Sequence, residues 1–154
     1  MFINQNFDSL SDLLAVRDVK QISRFNEIQL PVWVGVNIAG YKVFDKNTWS
    51  KLRPLSWTAP ELYLPGEDYA YRAIEYPAMV TEYFRYLNNV SVLYELIRAD
   101  DSVENCTLEM DGDNYRGSVI GYNEEKQLCF SNHIHSKPLW ALCLAYVNWW
   151  LEQE

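Results

Sequence analysis

His133 and His135 are the only histidines in the 154-residue chain, and they stand two apart in a segment that reads as a β-strand. Side chains alternate along a strand, so both share a face with Cys129 and Ser131, opposite Leu128, Phe130 and Ile134. Two imidazoles and a thiolate are ligands that zinc accepts. Cys129, however, stands about 13 Å from His133 if the strand rises ~3.3 Å per residue. One ion could join all three only through a bulge or with ligands from elsewhere. The expectation is therefore hydrogen-bonded or exposed histidines beside the helix that follows, with no metal and no cofactor. What chemistry remains is a pH-sensitive contact, since His titrates near neutrality.

The second group is acidic. Asp100, Asp101, Glu104, Glu109, Asp111 and Asp113 fall within fourteen residues that contain no Lys or Arg. No pair of carboxylates stands out for general acid–base work. Asp111-Gly112-Asp113-Asn114 lacks the D-x-D-x-D-G order and the distant Glu of an EF-hand loop. G-x-S-x-G, P-loop, G-x-G-x-x-G, H-E-x-x-H and C-x-x-C patterns are all missing, and the six glycines are scattered singly. These features predict a protein that is not an enzyme. Two readings of the run stay open: a solvated turn region at one end of a sheet, or a patch that meets a basic groove built for nucleic acid. The second makes Asp100, Asp101, Glu104, Asp111 and Asp113 partner-binding candidates.

Elements that must position these groups follow from periodicity. Cys106–Met110, Tyr115–Tyr122 and Gln127–His135 alternate as three strands of a meander, with turns at Asp111–Asn114 and Asn123–Lys126. A helix follows from Pro138 to the last residues, with Ser136 as N-cap and Pro138 in the first turn. Leu139, Leu142, Cys143, Tyr146 and Trp150 make one stripe of it, and Trp140, Leu144, Val147 and Leu151 a second. A helix apolar around most of its girth must be covered on more than one side. One cover is the sheet; the other is a second element or another protein. Trp149 and Trp150 point about 100° apart on a helix, so Trp149 and Trp140 are the leading interface anchors.

Before the meander, Tyr76 to Ala99 reads as two helices or one broken at Asn88-Asn89, with Val80, Tyr83, Phe84 and Leu87, then Val90, Leu93, Tyr94 and Ile97, as stripes. Asp45–Pro65 holds three prolines and predicts an irregular segment. Farther back, Val32–Ile38 and Tyr41–Phe44 read as a hairpin turning at Ala39-Gly40. Ser9–Lys20 reads as a helix capped by Ser9. The fold class is α+β: a mostly antiparallel sheet covered by helices. We expect one domain, with an N-terminal lobe of helix and hairpin over 1–60 and an acidic α-βββ-α lobe over 66–154.

A hydrophobic fraction of 49% and an aromatic fraction of 15% suit a packed core, not a disordered chain. No apolar run approaches the ~20 residues of a membrane span, and Met1–Leu10 lacks the pattern of a signal peptide. Cys106, Cys129 and Cys143, odd in number and widely spaced, fit reduced thiols in a cytoplasm. Net charge is −8: residues 1–60 carry seven Lys/Arg against five Asp/Glu, and residues 61–154 carry six against sixteen. Such a surface repels nucleic acid directly and attracts a basic protein surface.

Pro138-Leu139, Ala141-Leu142-Cys143 and Ala145, preceded by a short meander with a Gly-Asp turn, resemble the closing helix of small phage proteins of the ABA-sandwich, NinX-like type. The likeness spans roughly residues 75–150; Tyr69-Ala-Tyr71 stands where those proteins carry a Tyr-Ser-Thr-type segment. It implies a bacteriophage or prophage origin, an α/β/α sandwich and no catalysis, and it transfers no functional residue. The function expected is that of a non-enzymatic acidic protein in the host cytoplasm. It would inhibit a host protein such as a nucleic-acid-handling defence complex, in the manner of an anti-CRISPR or anti-restriction protein. The alternatives are a homo-oligomeric phage accessory or structural subunit, dimeric through the C-terminal helix, and a small metal- or ligand-binding enzyme domain using His133 and His135.

Overall fold

A computed structural model describes residues 10–40, 42–44, 61–63, 70–71 and 85–154. The fold is α+β, with antiparallel strands and helices packed on them. It divides into two compact units, one with described residues in 10–16 and 24–71, the other made of 17–23 and 85–154.

In the first unit, α1 (Leu10–Leu14) stops well short of the helix expected to run to Lys20. Asp18 is the reason. Its carboxylate accepts from the Lys20 N–H and starts a new turn, α2 (Val19–Ile22), which belongs to the second unit. The Ser9 cap and the helix expected over 76–84 lie outside the described residues.

The segment expected as strand Val32–Ile38 is helical: α3 spans Gln29–Asn37. A capping box decides it. The Asn26 carboxamide oxygen accepts from the N–H groups of Ile28 (2.9 Å) and Gln29 (2.8 Å), and the Gln29 side chain accepts in return from Asn26 N–H (3.0 Å). Gln29 to Gly35 are all buried, so the apolar run carries no alternation that would separate helix from strand. The Trp33 indole donates to Val16 O and Asn37 Nδ2 to Leu14 O, tying α3 to the end of α1. Gly40 has the positive φ expected of it (+88°), but just past a helix and not in a hairpin. Residues 42–44 do form a strand, β1 (Lys42–Phe44). It pairs antiparallel with β2 (Glu61–Tyr63), inside the stretch expected to be irregular, and β2 pairs with β3 (Ala70–Tyr71).

The second unit opens with a 3-10 turn at Arg85–Leu87 and α4 (Val90–Arg98). Asn89, expected only to weaken the helix, caps it by accepting from Ser91 and Val92 N–H. The meander is β4 (Val103–Asp111), β5 (Asn114–Tyr122) and β6 (Leu128–His135), in that spatial order. Its first hairpin turns at Gly112-Asp113, with Gly112 at φ +60° as a type II′ turn requires at its first position. The second turns through Asn123–Lys126, where Lys126 N–H donates to Asn123 O and Lys126 itself takes φ +60°.

The last helix, α5 (Pro138–Gln153), starts one residue later than Ser136 capping would give; Lys137 is its N-cap, without a side-chain bond. Trp140 through Val147 and Trp149 are buried, so the helix is sealed on both flanks as its sequence demands. One flank lies on β5 and β6; the other meets α2, α4 and the 3-10 turn. Among the described residues of this unit the layering is therefore sheet, α5, then small helices. Gly117 and Gly121 on β5 set the approach to the helix: a Cβ on Gly117 would stand 2.5 Å from Leu142 Cα, and one on Gly121 2.8 Å from the Trp149 ring.

Candidate functional site

The acidic run forms a line, not a cluster at one end of the sheet. Asp101 and Glu104 stand at the start of β4 and Asp113 in the turn after it. Val103 and Asp111 lie about 26 Å apart at ~3.3 Å per residue. A register shift between Val103 and Asn105 bulges the strand at Glu104, which aims that side chain out of the regular ladder.

Two of the five candidates are engaged within the fold. Asp100 accepts from Ser102 N–H (3.0 Å) with one oxygen and from the Tyr146 hydroxyl (2.8 Å) with the other, fastening the α4–β4 turn to α5. Burial, and then this bond and the charge of Asp100, push the Tyr146 phenol far above its ordinary range. Asp111 pairs with Arg116 at 2.9 Å. Asp101, Glu104 and Asp113 are exposed, as is Glu109 across from Arg116 on β5. Among the described residues, none of these four enters an ion pair.

Trp149 is fully buried with its indole N–H unpartnered, so it is core and not an interface anchor. Trp140 is buried too. It stacks on His135 with ring centroids 5.1 Å apart and 13° between planes, and the Lys137 ammonium lies 5.7 Å from its ring. Leu144 and Val147 are buried as well, which leaves Leu139, Trp150 and Leu151 as the half-buried apolar side chains of α5.

His133 and His135 face α5, and the two rings do different things. His135 Nδ1 accepts from Lys137 N–H (3.0 Å), which places the ring proton on Nε2 and holds the imidazole neutral. Burial lowers its pKa, with the Lys137 charge adding to the effect; burial and then His135 lower that of His133. Two residues before His133 on the same face, Ser131 is buried, donating to Ala145 O and accepting from Asn148 Nδ2. Among the described residues no group of three His, Cys, Asp or Glu side chains is arranged to hold a metal ion. The Cys143 thiol is buried and pushed up to about 12, so it stays protonated and unreactive. No described helix is long and apolar enough to cross a membrane.

The sheet face away from α5 carries what sequence reasoning left unassigned. Leu128, Phe130 and Ile134 on β6 are 64%, 71% and 46% exposed, and Tyr122, the neighbour of Leu128 on β5, is 45% exposed. Their shared face was legible from alternation. That the helix takes the opposite face follows from Gly117, Val119 and Gly121, a smooth strip on β5 that only a close-packed helix uses.

No family model, curated protein or solved structure matches this chain.

Proposed function

We propose that the protein is a non-enzymatic binding protein whose acidic β4 edge engages a basic surface on another protein. The observation that supports this most directly is the line of exposed carboxylates Asp101, Glu104, Glu109 and Asp113, unpaired among the described residues and strung along one edge strand. Carboxylates that already have cations at home contribute little to a partner; these four are held in place by a strand and its turns, yet are exposed and, among the described residues, uncommitted. An extended line of negative charge suits an elongated basic groove of the kind that handles nucleic acid. Occupying such a groove competes with the phosphate backbone. The partner we favour is a host nucleic-acid-handling complex, and the protein acts as its competitive inhibitor, in keeping with a phage or prophage origin.

The test is affinity capture from bacterial lysate with the wild-type chain and with D101K/E104K/D113K. The wild type should retain a basic protein that raised salt releases, and adding wild type should displace nucleic acid from that captured protein. The triple variant, folded by circular dichroism, should do neither. Equal capture by both chains would overturn the acidic-edge reading.

A further inference from the structure

The sheet of the second unit has two edges, and their chemistry is opposite. The β4 edge bears Glu104, Glu109 and Asp111. The β6 edge, Leu128–His135, contains no Asp, Glu, Lys or Arg in eight residues, and among the described residues no strand lies beside it. Proteins commonly guard a long edge with charge, proline or a bulge. β4 has the charge and a bulge; β6 has an unbroken register with β5 and none of these devices.

The backbone of that edge is also correctly turned. Asn123 N–H donates to Gln127 O and closes the β5–β6 hairpin. Antiparallel pairs alternate between bonded and non-bonded, so Cys129, Ser131 and His133 direct their N–H and C=O groups to β5. Leu128, Phe130, Asn132 and Ile134 direct theirs outward. All four of these outward residues are exposed.

We propose that β6 pairs antiparallel with β6 of a second copy of this chain, joining the two meanders into one six-stranded sheet. Charge selects this occupant. A copy of a chain with net charge −8 is repelled from the β4 edge and meets no like charge along β6. The register that overlaps most of the strand sets Leu128 against Ile134 of the other strand and Phe130 against Asn132, with Ser131 at the two-fold axis. The exposed Leu128, Phe130 and Ile134 of both copies then form one apolar stripe on the face away from α5. On the other face the two α5 helices, each seated over β5 and β6, come to lie about 10 Å apart at ~4.8 Å per strand, the ordinary spacing of packed helices. Pairing thus covers an edge and joins the two apolar patches side by side, and it leaves the acidic β4 edges outermost at both ends.

The test uses the full chain in sedimentation velocity across 1–200 µM. Wild type should pass from monomer to dimer within that range. Phe130→Lys puts a cation on the apolar stripe, and Asn132→Pro removes an outward N–H that β5 does not use; each should raise the dissociation constant at least tenfold. Glu109→Lys, on the other edge, should leave it unchanged. A wild type monomeric at 200 µM overturns the proposal. So does a dimer that persists in Asn132→Pro while Phe130→Lys abolishes it, which would mean face-to-face stacking. Circular dichroism of each variant guards against loss of fold, and Ile134→Pro, which removes another outward N–H paired across the axis, decides if Asn132→Pro does not fold.

Discussion

Gly117→Ala is the sharpest probe of how α5 is seated. A methyl group at Gly117 meets backbone atoms of Ala141 and Leu142, with Leu142 Cα at 2.5 Å. Ordinary carbon contacts lie near 3.5–4.0 Å, so strand and helix must part by roughly 1 Å. Neither neighbour is a side-chain tip that can swing away; both are main chain in the middle of a helix buried along its length. A gap of that size forfeits about a quarter to a half of each dispersion contact it opens. A buried leucine makes about 50 such contacts of ~0.1–0.2 kcal/mol, so one quarter of those at Leu142 alone is about 1–2 kcal/mol. Ala141 and Ala145 on the same side add to it, and the total falls at about 3 kcal/mol, the upper end of overpacking costs. Urea unfolding followed by tryptophan emission, with Trp140 and Trp149 both on α5, reads this directly. Ser118→Ala, one residue away on the opposite face, is the control and should stay within ~0.5 kcal/mol. A Gly117→Ala chain as stable as the Ser118→Ala chain would refute the close approach of β5 to α5.

Three further outcomes rest on individual contacts of the fold. Lys126→Gly should stabilise the protein by about 1 kcal/mol, because Lys126 occupies a positive-φ position that costs an L-residue roughly that much; a fall in the urea midpoint would contradict it. Tyr146→Phe should cost about 1–2 kcal/mol, since it deprives the half-buried Asp100 carboxylate of a charge-assisted hydrogen bond; a neutral result would mean that water replaces the hydroxyl freely. Acidification should weaken the fold through the histidines. Burial first, and then neighbouring positive charge, lowers the pKa of His133 and His135 from the ordinary 6.5, so the unfolded chain takes up these protons more readily. Their contribution is intact above 6.5 and declines as pH falls below it, until the folded values are passed. Urea midpoints at pH 7.5 and 5.5 should therefore differ less in H133Q/H135Q than in wild type, and an identical difference would exclude the histidines as the cause.

The carboxyl half was readable because its signals are local and agree. Alternation placed the three strands, Gly112 and Asp113 marked the tight turn, and the apolar girth of α5 foretold cover on two sides. Val32–Ile38 was not readable by composition: β-branched and aromatic residues favour a strand, and only the Asn26–Gln29 capping box, three residues upstream of the run, reveals the helix. Asp18 had a similar effect, since a short acidic side chain that can cap a new turn outcompetes continuation of the old one. For the candidate site, exposure of Asp101, Glu104 and Asp113 fits their charge. The capture of Asp100 by Tyr146, a partner forty-six positions away, has no trace in local sequence. Trp149 was misjudged because adjacent tryptophans on a helix do not announce which one turns inward.

Because α2 is contributed by residues 17–23 while its companions begin at residue 85, the second unit is discontinuous along the chain. Bringing those pieces together closes a loop of about sixty residues, an entropic cost on the order of 3–4 kcal/mol from length alone. A fragment beginning at residue 85 escapes that cost but leaves wet the part of α5 that α2 covers. A single backbone cleavage between residues 24 and 84 would instead yield two polypeptides that remain associated, held by α2 against α5.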